Sequence, residues 1–224
     1  MNNIFKKIDE VKSIQIVVDE EQLAIASTLY TYILRLHKKV SLVCIAKEID
    51  SRYSFLPWFD KVRVVELTST ELSIRPTFGA RELLEYFKSN DVKINAKMAT
   101  ALYGALLDET NGFKNGTVDG MTFAFANELL NAGAQHKICN NFLLQRTSLA
   151  RLRLKAIMFQ NMILTSSAKE ARFSICEDDF KSTGADMKDA KEIAQEAFFL
   201  PYVERVIIFN NDIKENKEIQ LGKK

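Results

Sequence analysis

The sequence predicts an α/β fold: a mostly parallel sheet flanked by helices, followed by a long connecting helix and a small α+β part. Three observations lead to this prediction. Near the N-terminus, two short β-branched runs enclose a segment of helix length with an apolar face. A pair of capped helices occupies the middle of the chain, and strand and helix patterns alternate again after residue 167. Strand, helix and strand in this order form a parallel unit.

Composition limits the classes of function. With 224 residues the chain can bury a full core, and 31 Lys and Arg residues against 29 Asp and Glu residues leave a formal net charge of +2. This balance creates no global field for a polyanion, so a nucleic acid would have to be recognised by a local patch. The three cysteines lack metal-binding spacing, and residues 1–13 lack the apolar core of a signal peptide. We therefore expect a cytoplasmic protein that does not contact a membrane.

The N-terminal elements follow from local patterns. Residues 14–18 and 40–46 are apolar runs typical of buried strands, and an acidic turn at residues 19–21 opens the helix between them. Residues 59–66 alternate between apolar and polar side chains, which predicts a partly covered strand near a sheet edge. Residues 79–88 then have the apolar spacing of a helix.

The helix pair in the middle of the chain carries the first functional signal. Asn95 stands where a first helix needs an N-cap, and Gly133 stands where a second helix, over residues 118–132, needs a left-handed C-cap. Between them, Asp108 and Glu109 place two carboxylates at the C-terminal end of a helix, where the helix dipole disfavours negative charge. A placement that costs free energy indicates a functional use.

Longer patterns follow in the C-terminal third. Apolar residues at three-four spacing over residues 137–164 predict one long helix. A strand at residues 171–175, a helix at 186–199 and a strand at 203–209 come next. Because the last of these strands has no later neighbour in this assignment, its free edge predicts self-association.

The domain assignment follows from these elements. A turn at residues 210–212 and a polar segment at residues 214–224, expected to fray, complete the chain. The assigned parts are a first domain over residues 1–145, a connecting helix over residues 146–166 and a C-terminal domain over residues 167–224.

Residues 99–113 (ATALYGALLDETNGF) and 129–134 (LLNAGA) form the most specific pattern in the chain. It resembles the segment A-x-L-x-x-x-G-I-x-x-D-T-x-x-F of the DHH phosphoesterases and the helix end that follows it. That family includes RecJ-type exonucleases, nanoRNase and pAp phosphatases, and manganese-dependent family II pyrophosphatases. In this register Glu109 lies at a metal-ligand aspartate of the family, and Thr110 lies at its threonine. The resemblance implies a DHH-like phosphoesterase fold with manganese or magnesium as cofactor.

Residues 17–27 (VVDEEQLAIAS) are similar to the first motif of the family, H-x-x-P-D-x-D-A-x-G-S, in their final four positions. The resemblance places the family's histidine at Val17 and its two aspartates at Glu21 and Leu23. A dimanganese site needs oxygen and imidazole ligands in fixed geometry, and valine and leucine supply neither. Of these three positions, only Glu21 can contribute a ligand.

Residues 59–66 (FDKVRVVE) resemble the second motif, Y-D-x-V-x-x-x-D, with Glu66 at the ligand aspartate. Alternatively, residues 66–68 (ELT) are what remains of the D-H-H triplet, which occurs nowhere in the sequence. Residues 76–80 (PTFGA) resemble the next helix start of the family, and they follow Glu66 too closely to leave room for a further strand and loop. We therefore expect the centre of the family's active site to be missing.

The C-terminal part resembles the first half of the DHH-associated domain of the family. It lacks the arginine-serine segment and the G-G-G-H substrate loop of the second half, so the resemblance implies a truncated α+β domain. The predicted connecting helix carries basic residues that either face a substrate phosphate or form an ordinary solvated surface. The candidates for substrate binding are Arg146, Arg151 and Arg153.

The candidate catalytic residues are carboxylates at or beside the positions where the family keeps ligands. The two histidines, His37 and His136, lie outside every motif. The four candidates are Glu21, Glu66, Asp108 and Glu109, of which Glu66 and Glu109 are the candidate metal ligands.

Two hypotheses follow. In the first, the chain is a pseudoenzyme that keeps the DHH-like fold, needs no cofactor, and binds a protein partner or a nucleotide. Alternatively, it is an active phosphoesterase whose four carboxylates hold Mn²⁺ or Mg²⁺ and whose substrates are short oligonucleotides or pAp-like nucleotides. Apolar residues at Val17 and Leu23 favour the first hypothesis. The expected partners are a protein, a second copy of the chain, a short nucleotide or single-stranded nucleic acid.

Overall fold

A computed structural model describes residues 2–46, 49–165, 167–210 and 218–222. The chain divides into two compact units, Met1–Arg146 and Thr147–Lys224, and each unit has its own sheet and its own hydrophobic core. In chain order the first unit contains α1 (Asn2–Glu10), β1 (Ser13–Val18), α2 (Leu23–Arg35), β2 (Lys39–Cys44), β3 (Val62–Arg63), β4 (Leu72–Ile74), α3 (Ala80–Ser89), α4 (Ala96–Glu109), α5 (Gly120–Asn131) and α6 (His136–Asn140).

Sheet A, in the first unit, has four parallel strands in the order β3-β2-β1-β4. In β1 every residue from Ile14 to Val18 is buried, which shows that both faces of this strand are covered. α2 connects β1 to the parallel strand β2, as the βαβ pattern predicts. The predicted α/β fold with a mostly parallel sheet is therefore confirmed.

The core of the first unit is organised around α4. All ten residues from Met98 to Leu107 are buried, because this helix is apolar on every side and is enclosed by other elements. The Asn95 side chain accepts a hydrogen bond from the Met98 N–H at 3.0 Å, and Gly133 has φ +92°, so both predicted caps are confirmed. The helix continues through Glu109, which places both carboxylates of the predicted break inside its last turn.

Two strand predictions for the first unit need correction. The strand expected over residues 59–66 is a 3-10 turn (Phe59–Lys61) followed by the two-residue edge strand β3. We expected no further strand between Glu66 and Pro76, but this stretch contains β4, which pairs with β1. A strand of only three residues can form here because β1 provides hydrogen-bond partners for its backbone.

The second unit contains sheet B, in the order β5-β6-β7-β8, with a parallel pair in the centre and antiparallel pairs at both edges. Leu154 and Met158 from its first helix pack with Phe173 and Ile208 of the sheet in one buried core. In chain order the unit contains α7 (Leu149–Gln160), β5 (Ile163–Leu164), β6 (Glu170–Ile175), α8 (Glu177–Thr183), α9 (Met187–Gln195), β7 (Arg205–Asn210) and β8 (Glu218–Leu221).

The single long helix predicted over residues 137–164 is wrong. α6 passes into a π-helical turn, Asn141–Gln145, and the backbone of Arg146 is then extended. The Ser148 side chain accepts a hydrogen bond from the Arg151 N–H at 3.0 Å and starts α7 as a separate helix. A serine cap satisfies one of the free N–H groups of a new first turn and so favours a fresh start over continuation.

The C-terminal strand predictions are only partly confirmed. β6, β7 and α9 form where they were expected, and α9 continues as a 3-10 turn to Phe199. The segment expected to fray contains β8, so β7 lies between β6 and β8 and has no free edge. Self-association stays a prediction, but the premise that β7 lacks a neighbour is wrong. Residues 211 and 212 of the turn predicted at residues 210–212 lie outside the described residues.

In the described part of the chain, no helix combines the length and the apolar character needed to cross a membrane.

Candidate functional site

Polar groups of the first unit gather beyond the carboxyl ends of β1 and β2. β2 and β3 extend sheet A on one side of β1, whereas β4 extends it on the other, so the direction of the strand order reverses at β1. Ligands of open α/β sheets bind at the carboxyl edge near such a reversal. Glu20 follows β1 at this edge, and the segment over residues 49–58 follows β2.

A chain of hydrogen bonds links these two connections. Glu20 accepts a hydrogen bond from the backbone N–H of Asp50. The Asp50 carboxylate accepts from the Arg52 backbone N–H at 2.9 Å and from Arg52 Nε at 2.7 Å. Burial lowers the pKa of Arg52, but the hydrogen bond and the charge of Asp50 outweigh this effect and leave the pKa raised. The guanidinium charge is therefore held beside a carboxylate of the same segment.

Tyr53 connects this cluster to the end of α4. Tyr53 is 2% exposed, and its hydroxyl donates a hydrogen bond to Oδ2 of Asp108 at 2.5 Å. Burial raises the pKa of Tyr53 far above its ordinary value, and the charge of Asp108 together with the hydrogen bond to it acts in the same direction. The phenol therefore stays protonated and remains a donor to Asp108.

Two further hydrogen bonds fix the segment over residues 50–58 against α2. Trp58 Nε1 donates to the Thr31 hydroxyl at 3.0 Å, and the Ser27 hydroxyl donates to the Pro57 carbonyl at 2.7 Å. The segment is thus attached at both ends, to the connection after β1 and to α2. The Tyr53 contact with Asp108 is part of a packed structure rather than a contact of a free loop.

Glu109 has a different partner. Its Oε1 accepts a hydrogen bond from the Ala80 N–H at 2.8 Å, so the carboxylate occupies the N-terminus of α3, where the helix dipole favours negative charge. A Cβ atom on Gly79 would lie only 3.1 Å from the same oxygen, and glycine permits this close approach. Although much of Glu109 is exposed, burial of its carboxyl group raises its pKa. The hydrogen bond from the Ala80 N–H lowers the pKa, whereas the negative charges of Asp108 and Glu82 raise it further.

The structure does not gather the four predicted catalytic carboxylates at one point. Asp108 and Glu109 are neighbours in sequence, but one is bonded to Tyr53 and the other to α3. Glu66 is exposed and forms an ion pair with Arg75 at 2.6 Å, and Glu21 is exposed in the turn before α2.

The residues at this edge do not fit the two-metal site that the family resemblance implies. Val17 and Leu23, at the positions of the family's histidine and second aspartate, are each 1% exposed and belong to the packed interior. No group of three or more histidine, cysteine, aspartate or glutamate side chains that could hold a metal ion occurs among the described residues.

The predicted substrate-binding arginines lie in different surroundings. In the first unit, Arg146 Nε donates to the Asn141 side chain at 3.0 Å, and the guanidinium lies 3.5 Å from the centre of the Phe142 ring. In the second unit, Arg151 forms ion pairs with acidic residues of α9, and Arg153 is exposed.

Sequence reasoning missed the residues that carry most of the polar contacts at this edge. Glu20, Asp50, Arg52 and Tyr53 belong to connections without helical or strand periodicity, and Tyr53 lies 55 residues from its partner Asp108. The one local signal was the position of these residues, directly after two predicted parallel strands.

No family model and no curated protein sequence matches the chain. An exopolyphosphatase-related protein from Bacteroides fragilis has the same fold: the structural alignment covers 99% of this chain and 82% of that one, with a TM-score of 0.79 and 13% sequence identity. A protein from Methanococcus jannaschii assigned to the family II inorganic pyrophosphatases aligns over 93% of this chain and 88% of its own, with a TM-score of 0.36 and 12% identity. At these identities the first likeness defines the fold alone, and the second carries no argument.

Proposed function

We propose that the chain is a DHH phosphoesterase-like protein that does not hydrolyse phosphoesters and acts by binding a nucleotide or a protein partner. The motif resemblance around residues 99–113 and the fold shared with the exopolyphosphatase-related protein support the phosphoesterase-like architecture. One observation carries the non-catalytic role. Asp108 and Glu109, at the position of a family metal ligand, each accept a hydrogen bond from a donor of the chain itself.

The chemistry of the site supports this proposal. Phosphoester hydrolysis by metal ions requires ligands that hold the ion and leave a position for an activated water. The Tyr53 phenol and the N-terminus of α3 stabilise the two carboxylates without an ion, and the interior positions Val17 and Leu23 offer no ligand atoms. Both side chains therefore have hydrogen-bond partners within the first unit.

Hydrolysis assays test the proposal. The substrates are pAp, RNAs of two to five nucleotides and linear dinucleotides, each with and without Mn²⁺. Glu109→Gln runs beside the parent protein, and Glu10→Gln, at an exposed position of α1, is the control of equal charge change. We expect no turnover by any of the three proteins. Manganese-dependent turnover that Glu109→Gln abolishes and Glu10→Gln retains would establish a rebuilt active site and reject the proposal.

A further inference from the structure

A cavity of about 380 Å³ opens at the amino edge of sheet A, away from the carboxylates described above. α2 starts after β1 at the carboxyl edge and ends at Arg35, shortly before β2 starts at the amino edge. Because a helix of 13 residues is about 20 Å long, the two ends of α2 are well separated. The cavity is lined by the end of α2 and by the connection between α3 and α4, through Tyr32, Arg35, Leu36, Asp91, Val92 and Lys93. These six residues define the amino-edge cavity.

The connection between α3 and α4 is held in one conformation by its own hydrogen bonds. The Val92 N–H donates to the Phe87 carbonyl at 2.8 Å, and the Asp91 N–H donates to the Lys88 carbonyl at 3.3 Å. Asp91 has φ +53°, the left-handed conformation in which many helices end and which glycine usually occupies. Aspartate and asparagine are among the other residues that adopt it most readily. The backbone therefore holds Asp91 at a fixed place in the cavity wall.

Arg35 joins the opposite wall to this connection. Its Nη1 donates a hydrogen bond to the Lys93 carbonyl and lies 3.5 Å from the Met98 sulfur. These contacts orient the guanidinium group but do not neutralise its charge, because neither acceptor is a carboxylate. A guanidinium has five N–H donors, and the contacts with the described residues engage only Nη1. The remaining donors of Arg35 are available to a ligand.

The charged side chains of the amino-edge cavity have no ionic partner in the described part of the chain. No carboxylate there lies within 4.0 Å of a cationic nitrogen of Arg35 or Lys93, and no cationic nitrogen lies within 4.0 Å of the Asp91 carboxylate. Asp91 and Arg35 thus line one cavity without pairing with each other. Small-ligand sites have volumes of about 300–1,000 Å³, so the space between these groups suits a small molecule.

The rest of the wall is mainly apolar, with one hydroxyl. The Tyr32 ring lies 5.5 Å from the Phe5 ring and 5.3 Å from the Phe87 ring, measured between centroids, so packed aromatic neighbours fix its plane. Burial raises the pKa of Tyr32, and the phenol therefore stays protonated at neutral pH and can donate. Leu36 and Val92 complete this part of the wall.

We propose that the amino-edge cavity binds an acidic α-amino acid, with its ammonium group at Asp91 and its two carboxylates at Arg35 and Lys93. Each of the three charged groups of such a ligand then has one partner of opposite charge, and the apolar wall contacts its methylene groups. A neutral amino acid would leave one cation without a partner, and a dicarboxylate without an amino group would leave Asp91 without one. The inference is independent of the proposed function, because the cavity lies at the other end of α2.

Isothermal titration calorimetry on the full-length protein tests this inference. The probes are L-glutamate, glutarate, which lacks the ammonium group, and L-leucine, which lacks the second carboxylate. Asp91→Asn and Lys93→Gln are the test variants. Asparagine also adopts positive φ readily, and Arg35 bonds the backbone of Lys93, so both substitutions leave the connection intact.

Two matched controls carry the same charge changes at exposed positions. Asp178→Asn alters a side chain that is 90% exposed, and Lys137→Gln alters an exposed position of α6. We expect L-glutamate to bind the parent with a dissociation constant of about 1 mM or lower, and the other probes to bind at least about tenfold more weakly. Each test variant should weaken L-glutamate binding by about tenfold, and each control should change it by less than about twofold.

Three results would overturn the inference. The first is no heat of binding at L-glutamate concentrations up to about 10 mM. The second is equal binding of glutarate or L-leucine, and the third is a loss in the controls as large as in the test variants. The titrations contain neither Mn²⁺ nor a phosphoester, so a failure of this inference and a failure of the proposed function are observed separately.

Amide chemical shifts of the isotope-labelled parent give a second readout, which needs no variant. Shift changes at the backbone amides of residues 91–93 on addition of L-glutamate support the inference. Shift changes confined to residues outside the cavity wall overturn it, even if calorimetry detects binding.

Discussion

The carboxyl edge of sheet A and the surface of sheet B around Glu170 both combine arginines with carboxylates, but these carboxylates have different partners. At the edge of sheet A, Asp108 accepts a hydrogen bond from the Tyr53 hydroxyl, and Glu109 accepts one from a backbone N–H of α3. On sheet B, one carboxylate, Glu170, is shared between two exposed guanidinium groups.

This difference predicts unequal contributions to stability. A hydrogen bond from a buried donor to a carboxylate contributes to stability, because the donor has no water to replace its partner. An ion pair with an exposed guanidinium contributes less, because solvent screens the attraction. The bond between Tyr53 and Asp108 represents the first case, and the ion pairs of Arg172 and Arg205 with Glu170 represent the second.

The largest stability effect is expected from Tyr53→Phe. The substitution keeps the buried ring and removes the hydroxyl that donates to Asp108, so a charged acceptor loses its partner. We expect the free energy of unfolding to fall by about 1–3 kcal/mol in urea titrations. Tyr202→Phe, at a position that is 72% exposed, is the matched control and should change it by less than about 0.5 kcal/mol. Equal effects of the two substitutions would remove the distinction drawn for sheet A.

Arg205→Gln should lower stability less than Tyr53→Phe does. Glu170 keeps its shorter hydrogen bond to Arg172 in this variant, and the lost ion pair is largely exposed at the Arg205 end. We expect a decrease of less than about 1 kcal/mol in the same urea titrations. A loss as large as that of Tyr53→Phe would show that the ion pair between Arg205 and Glu170 stabilises the fold as strongly as the hydrogen bond of Tyr53.

Glu109→Gln should change the pH dependence of stability more than its value. Because burial raises the folded-state pKa of Glu109 above the ordinary value of 4.5, protonation favours the folded state. This contribution is fully present below the unfolded pKa and is lost as pH rises through the raised folded pKa. From about pH 4 to 8, the urea midpoints of the parent and of Glu10→Gln should therefore fall relative to those of Glu109→Gln. Identical pH profiles for all three would contradict the assigned environment.

The smallest effect is expected from Glu66→Gln. Glu66 and Arg75 form an ion pair at 2.6 Å, but both side chains are about half exposed, so solvent screens their attraction. The free energy of unfolding should change by less than about 0.5 kcal/mol. A larger loss, or an altered response to Mn²⁺, would show that Glu66 belongs to a site rather than to the surface.

The parts of the fold that sequence predicted correctly are those specified by nearby residues. Asn95 caps α4 through a neighbour three positions away, and Gly133 supplies a conformation that its own lack of a side chain permits. β1 and α2 have uninterrupted apolar patterns that identify them without reference to the rest of the chain.

The parts that sequence missed depend on distant partners. β4 has only three residues and forms because it pairs with β1. The paired residues Ile14 and Leu72 are 58 positions apart in the sequence. The bond between Tyr53 and Asp108 spans 55 residues and leaves no periodic signal. The position of Glu109 was predicted, but its role at the start of α3 requires knowing that the two helices meet.

Calorimetric titration of the parent protein with Mn²⁺ shows whether the carboxylates beyond β1 and α4 are available to an ion. If the chain is non-catalytic, neither the parent nor Glu109→Gln should show a saturable heat of binding. Saturable binding with a defined stoichiometry that disappears in Glu109→Gln would contradict the non-catalytic role and would restore the active phosphoesterase as the better description of this chain.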